Sequence, residues 1–377
     1  MRKILIAISG LLLCACGGKE AENSADGYAD INIQADTVVV DSGGEILMAA
    51  TNGFGHGYTR DLGKLYNWDY ASSQVEVVDL MALRLLKKQS FEIEGPEGVG
   101  KDSYMMKMIG DDQLAFVSWS SGITIKDLEG KVYQRIKLDQ TWMTEGVEEK
   151  GSLSLMGFSG DGKKMYCTFM NFKKLQSDIL ELDLDTKTKL VLQLPEFEKL
   201  DKFRIAFSSD DGNMMSMSAP DISLSLWQDQ LLFYTNALNS VYRLDPKTDS
   251  LHFINYNNQL TANEKTGSYQ NEVSSNEEMQ RISALLREEV NFSRMIWDNQ
   301  NEVFYRFTNF NLPKIADEET KVRNFVSILS PDMELLGEKD ITYLGLKYPN
   351  PQFVKDGKAY LFINLEDELA YVRLSLN

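Results

Sequence analysis

A unit made of two β-strands, a polar break and an Asp-rich turn recurs along this chain, and it limits the fold more than any other feature. Its clearest copy runs from Phe158 to Leu194. The turn Ser159-Gly160-Asp161-Gly162 opens a strand over residues 164–170, and a second strand closes on Ile179-Leu180-Glu181-Leu182-Asp183. After a turn of Asp, Thr and Lys, Leu190-Val191-Leu192 resumes β-type sequence. Comparable pairs are read at residues 45–51 with 74–80, 113–119 with 123–128, 230–235 with 241–244, 302–307 with 325–329, and 358–364 with 369–376. A small twisted sheet cannot bury both faces alone, so such units stack around an axis until a ring closes. The pattern therefore predicts an all-β chain, a six-bladed β-propeller over residues 31–377. Closure would pair the β sequence around Val38 with the last strands, over 361–376, leaving no sheet edge open. Because the strand-ending Asp79, Asp127, Asp183 and Asp245 are unevenly spaced, two packed β domains stand as the alternative.

One segment breaks the rhythm. Ser275-Asn276-Glu277-Glu278 has the spacing of a capping box, and Met279, Ile282, Leu285 and Leu286 follow at helical intervals. This predicts a short helical insertion over residues 276–289, packed on the propeller rim or docking a partner protein.

The start of the chain reads as an address. Arg2 and Lys3 precede an apolar run, Ile4 to Leu13, too short to span a bilayer, so residues 1–15 are expected to be a signal peptide. The end of that run, Leu13-Cys14-Ala15-Cys16, is similar to a bacterial lipobox, which makes Cys16 the expected lipidation site; residues 16–30 then form a flexible polar tether. Lys19 and Glu20 behind the cysteine resemble a surface-export signal. The chain carries 39 Lys and Arg against 56 Asp and Glu, a formal charge of −17 that cleavage before Cys16 takes to −19 by removing Arg2 and Lys3. Such a surface repels nucleic acid and anionic lipid, so no nucleic-acid partner is expected and the membrane is contacted only through the anchor. Two of the three cysteines lie in the signal region, and the third, Cys167, sits in an apolar strand as a small core residue.

Several stretches together resemble a family of Bacteroidetes lipoproteins, domain of unknown function 4221. They are the lipobox, Phe91-Glu92-Ile93-Glu94-Gly95-Pro96-Glu97-Gly98-Val99-Gly100, Trp297-Asp298 with Val303-Phe304-Tyr305-Arg306-Phe307, and Ser330-Pro331-Asp332-Met333-Glu334-Leu335-Leu336-Gly337-Glu338. The resemblance implies a TolB-like propeller and a cell-envelope address, anchored in the outer membrane and exposed at the cell surface or facing the periplasm. It brings no catalytic residues.

Chemical motifs are sparse. The two histidines, His56 and His252, lie in different repeats, which excludes a metal site with several His ligands. No nucleophile elbow and no phosphate loop occurs, and no cofactor is expected. The Gly-rich stretch from Asn52 to Asp61 reads as a loop that presents His56, Tyr58 and Arg60 to a ligand or simply as a solvated connection; Arg306 is a further candidate contact. Tryptophans 68, 119, 142 and 227 offer stacking surfaces or blade core. Three functions follow: a non-catalytic binding or scaffold module for a glycan, peptide or envelope protein; a lyase or hydrolase with carboxylates in the central channel; and a structural part of an envelope complex. The negative charge favours neutral or cationic ligands unless a local patch such as Arg60 or Arg306 intervenes.

Overall fold

Short runs of β-branched and aromatic residues, broken by Asp and Gly, form the strands of this protein, seen in a computed structural model that describes residues 28, 31–47, 55–147, 151–171, 176–208, 215–315, 319–366 and 368–376. The expected signal peptide and Cys16 lie outside these residues. Six four-stranded antiparallel sheets follow one another along the chain. Their innermost strands, in order, are His56–Tyr58, Ser103–Ile109, Gly151–Phe158, Ile222–Trp227, Asn291–Asp298 and Pro351–Lys355. Sheets 1 to 5 each add three strands outward in chain order. Sheet 6 adds Lys358–Leu365 and Glu368–Leu376 and takes its outer strand from the start of the chain. There Ile33–Val39 pairs antiparallel with the last strand, from Ile33 opposite Leu376 to Val39 opposite Ala370.

Packing closes the ring. Trp68 and Val77 of sheet 1 meet Met106 and Phe116 of sheet 2, and Ile125 of sheet 2 meets Cys167 and Leu180 of sheet 3. Tyr166 and Ile179 then meet Phe233 and Leu244, Tyr234 meets Phe304, and Val303 meets Leu361. Finally Tyr360 and Tyr371 of sheet 6 meet Leu65 and Val78 of sheet 1. Each sheet is thus covered on both faces by its neighbours, as in a β-propeller, and each fully buried large side chain contributes about 1.5–3 kcal/mol.

Five of the Asp turns share one geometry, while the turn at Asp127 differs, its Oδ1 accepting the Lys131 amide and its left-handed residue being Gly130. Asp79 Oδ1 accepts the Met81 and Ala82 amides at 2.8 and 2.9 Å, and Asp183 Oδ1 accepts those of Asp185 and Thr186 at 3.0 and 2.8 Å. Asp69, Asp245 and Asp298 cap their turns alike. Four residues beyond each Asp the backbone is left-handed, at Ser73, Leu83, Lys187, Asp249 and Glu302. The carboxylate satisfies amides that a tight reversal leaves without strand partners, which is why the same residue type recurs at these five turns.

Two expectations are corrected. Gln74–Asp79 pairs with Lys64–Asp69 and Arg84–Ser90 rather than with the expected strand 45–51, of which 48–51 lie outside the described residues. The Gly-rich stretch is not a free loop from 55 onward, because His56–Tyr58 pairs with residues 65–67 as the innermost strand of sheet 1. Gly57 explains the placement: a Cβ there would lie 2.5 Å from the Met108 Cβ, so only glycine lets sheets 1 and 2 approach this closely at the axis.

The helix forms at Asn276–Glu288, with Ser275 Oγ accepting the Glu278 amide and Glu278 Oε2 accepting the Ser274 amide. Met279, Ile282 and Leu286 pack against Ile205, Phe207 and Val273 of an additional three-stranded sheet, so the apolar stripe is covered within the chain apart from Leu285, which is 37% exposed.

Candidate functional site

The six innermost strands surround a cavity of about 1280 Å³. A regular strand would alternate its side chains between the flanking cores, but four of these six carry a bulge, which re-aims a residue toward the axis. Register slips occur at Ser103/Met105, Leu155/Gly157, Phe292/Met295 and Pro351/Phe353. Met156, Ser293, Arg294 and Gln352, all residues within those slips, line the cavity.

Its wall joins aromatic faces to polar groups. Tyr58 lies against Phe353 with ring centroids 5.0 Å apart, and Trp227 against Trp297 at 5.3 Å. His56 stands edge-on to Tyr58 at 5.3 Å, because residues two apart in a strand share a face. Lys107 projects from sheet 2 and Arg294 from the bulge of sheet 5 into the same space. Burial and the positive charges of Arg294 and Lys107 hold the His56 pKa down to about 3, so its imidazole is neutral at physiological pH. Burial and then Arg294 hold Lys107 down to about 8. Burial raises the Tyr58 pKa well above the ordinary phenolic value, with Arg294 opposing. Arg294 is therefore within electrostatic reach of all three. The acids on the wall stand elsewhere. Burial alone raises the Asp221 carboxyl, and Asp229 is paired with Arg60 at 3.8 Å and Lys247 at 3.3 Å.

Arg60 straps one mouth of the cavity. It extends from sheet 1, where its amide donates to Asp111 Oδ1 at 2.7 Å, to the turns of sheets 3 and 4, donating from Nη2 to the Gly160 oxygen at 2.8 Å and pairing with Asp229.

The structure thus gathers three of the four residues that the sequence nominates for ligand contact, His56, Tyr58 and Arg60, around one cavity. Arg306 is placed otherwise. It is fully buried, and its guanidinium donates to the main-chain oxygens of Ser293, Thr235, Leu238 and Asn239 and to the Tyr256 hydroxyl. Lys107 and Arg294 were not singled out by sequence, although each is the sole charged residue within a mostly apolar stretch, Met105-Met106-Lys107-Met108-Ile109 and Phe292-Ser293-Arg294-Met295-Ile296. Of the tryptophans, Trp68 is core and Trp119 is 76% exposed, stacked on Tyr104 at 4.0 Å outside the cavity. Cys167 is buried and its thiol is pushed up to about 12, which suits core packing rather than reactivity.

The sequence profile of the domain of unknown function DUF4221 matches residues 29–340. The chain belongs to this family. A crystal structure of a DUF4221 member from Bacteroides vulgatus is 14% identical and superposes with a TM-score of 0.64, covering 92% of this chain and 98% of that one. A protein described as exported, from Bacteroides fragilis, is 8% identical with a TM-score of 0.50, covering 92% and 95%. At these identities the likeness extends to the fold. Among curated proteins, none matches this chain. No helix among the described residues is long and apolar enough to cross a membrane.

Proposed function

We propose that this DUF4221 protein is an exported cell-envelope lipoprotein, anchored through Cys16 to the outer membrane and facing the cell surface, that binds a glycan, peptide or envelope protein at the mouth and wall of its central cavity without transforming it. The observation that carries this reading is the cavity itself. It combines tilted aromatic pairs with hydrogen-bonding side chains on six hydrogen-bonded strands, and Arg60 straps one mouth, so a ligand would enter from the other. Rigid walls of this kind limit the ordering cost of binding.

A second reading draws on Asp221. Its carboxyl, raised by burial on the cavity wall, has the character of a general acid for a lyase or hydrolase. Both readings meet one experiment. Purified protein is incubated with panels of microbial and host polysaccharides and peptides, and retention and product formation are followed together. Saturable retention without products supports the binding module. Turnover that disappears in Asp221→Asn replaces it with the enzyme.

A further inference from the structure

Lys107 and Arg294 are two cations directed into one cavity of a chain whose net charge is −17. Neither side chain has a hydrogen bond or ion pair among the described residues, while the other cations near the cavity are engaged. Arg60 holds Gly160 and Asp229, and Arg306 holds four carbonyl oxygens and a hydroxyl. Folding alone does not favour this arrangement, since two like charges brought together away from bulk water cost stability unless something neutralises them. The bulge at Phe292/Met295 turns Arg294 inward rather than into the flanking core, and the strand of sheet 2 delivers Lys107 to meet it.

Polar and titratable groups from all six sheets and their turns line the cavity that holds this pair. Sheet 1 contributes neutral His56 and the Tyr58 hydroxyl, both potential donors, with Arg60 at the mouth. Sheet 3 offers Ser154 and Thr168, sheet 4 Asp221, Asp229 and Tyr234, sheet 5 Ser293, and sheet 6 Asn350 and Gln352. No carboxylate contributes to the depressed pKa values of His56 and Lys107, and no cation offsets the effect of burial on Asp221. The pair therefore lacks a counter-ion within the wall.

We infer that Lys107 and Arg294, with the His56 imidazole and the Tyr58 hydroxyl beside them, form a binding site for the oxyanion of a ligand, a carboxylate, sulfate or phosphate, inside the central cavity. A planar guanidinium grips two oxygens at once and the ammonium supplies a further donor, so the site discriminates an acidic ligand from its neutral analogue. The aromatic wall suits an acidic sugar, whose ring stacks while its carboxylate is held. This inference rests on the binding-module reading but is narrower than it. It also reverses, inside the cavity, the preference for neutral or cationic ligands that the surface charge implies.

The test uses the full chain in detergent and titration calorimetry with four probes: glucuronate, inorganic phosphate, sulfate and neutral glucose. At least one anion is expected to saturate the protein, with glucose about tenfold weaker or absent, and Arg294→Gln is expected to weaken the anion by about tenfold or more. Glucuronate alone binding assigns the aromatic wall a share, and all three anions binding equally assigns recognition to the oxyanion; both support the site. Wild-type affinity should fall from pH 7 to pH 9 as Lys107 loses its proton, and Lys107→Arg should flatten that fall. Thermal unfolding of ligand-free Arg294→Gln and Lys107→Met separates lost binding from lost fold, because removing an unpaired charge should leave the melting temperature unchanged or higher. Anion affinities equal in wild type and Arg294→Gln, or no anion binding at any pH, would overturn the inference. Glucose binding as tightly as glucuronate would also overturn it while leaving a binding cavity.

Discussion

Arg306 Nη1 donates to the main-chain oxygen of Asn239 at 2.7 Å, so a side chain of sheet 5 closes the loop that joins two strands of sheet 4. Nη2 reaches Thr235, at the end of the first of those strands, and Leu238, in the loop, at 2.8 and 3.2 Å, and the guanidinium lies 4.9 Å from the Phe292 ring centroid. Replacement by methionine would strand several buried carbonyls at once. Arg306→Met is expected to lower stability by about 3 kcal/mol or more, read as the midpoint of urea unfolding. Arg306→Lys should recover little of it, because three ammonium donors cannot reproduce the planar fork. A methionine variant within about 1 kcal/mol of wild type would show that the loop holds itself.

Gly57 makes a prediction of the opposite kind, from excess atoms. An added Cβ would meet the Met108 Cβ at 2.5 Å and the Met108 amide nitrogen at 3.2 Å, and backbone cannot swing aside as a side-chain tip can. Gly57→Ala should cost about 1–3 kcal/mol and reshape the cavity wall at His56 and Tyr58. Wild-type thermal stability in this variant would mean that sheets 1 and 2 can part at the axis without penalty.

What could be read in the sequence divides along the range of the interactions. The Asp turns were legible because their chemistry is complete within four residues: carboxylate, capped amides and a left-handed residue. The helix was legible for the same reason, its cap lying between Ser275 and Glu278. The pairing of the first and last strands followed from the need to leave no open edge. His56–Tyr58 escaped because three residues beside glycines give no alternation, and their burial comes from other sheets. Lys107 and Arg294 lie far apart in the chain and face one space only once the ring is closed, so no local pattern joins them. Arg306 was nominated for a ligand because an arginine in a strand does not announce the loop that will fold over it.

The anchor predicted at Cys16 is tested by its loss. On the proposed reading, cleavage before this residue would create the terminus that acyl chains modify, and several chains together would be needed for stable attachment, since one alone binds a bilayer only marginally. Cys16→Ala should leave an unprocessed or soluble precursor, detected as a larger species on immunoblots of fractionated cells. Unchanged recovery in the outer-membrane fraction would remove the anchor at this position.

Two cavity groups give the protein a pH signature whose sign can be worked out. His56 holds its proton only below about 3 in the folded state, whereas in the unfolded chain it does so below about 6.5. Between these values the unfolded state binds the extra proton, so this group lowers stability as the pH falls, by at most about 1.4 kcal/mol per pH unit. Lys107 behaves alike at the basic end. It releases its proton at about 8 when folded but keeps it to about 10.4 when unfolded, so its contribution rises with pH across that window and is flat below it. Lys265, also held at about 8 by burial, adds to the same rise. Because the many acidic residues impose their own pH dependence, the readout is the difference between variant and wild type. Urea unfolding of Lys107→Met should exceed wild type in stability at pH 7 and converge with it near pH 10, and His56→Asn should lose less stability than wild type between pH 6.5 and pH 4. Parallel curves for either variant across its window would mean that the cavity does not shift that group.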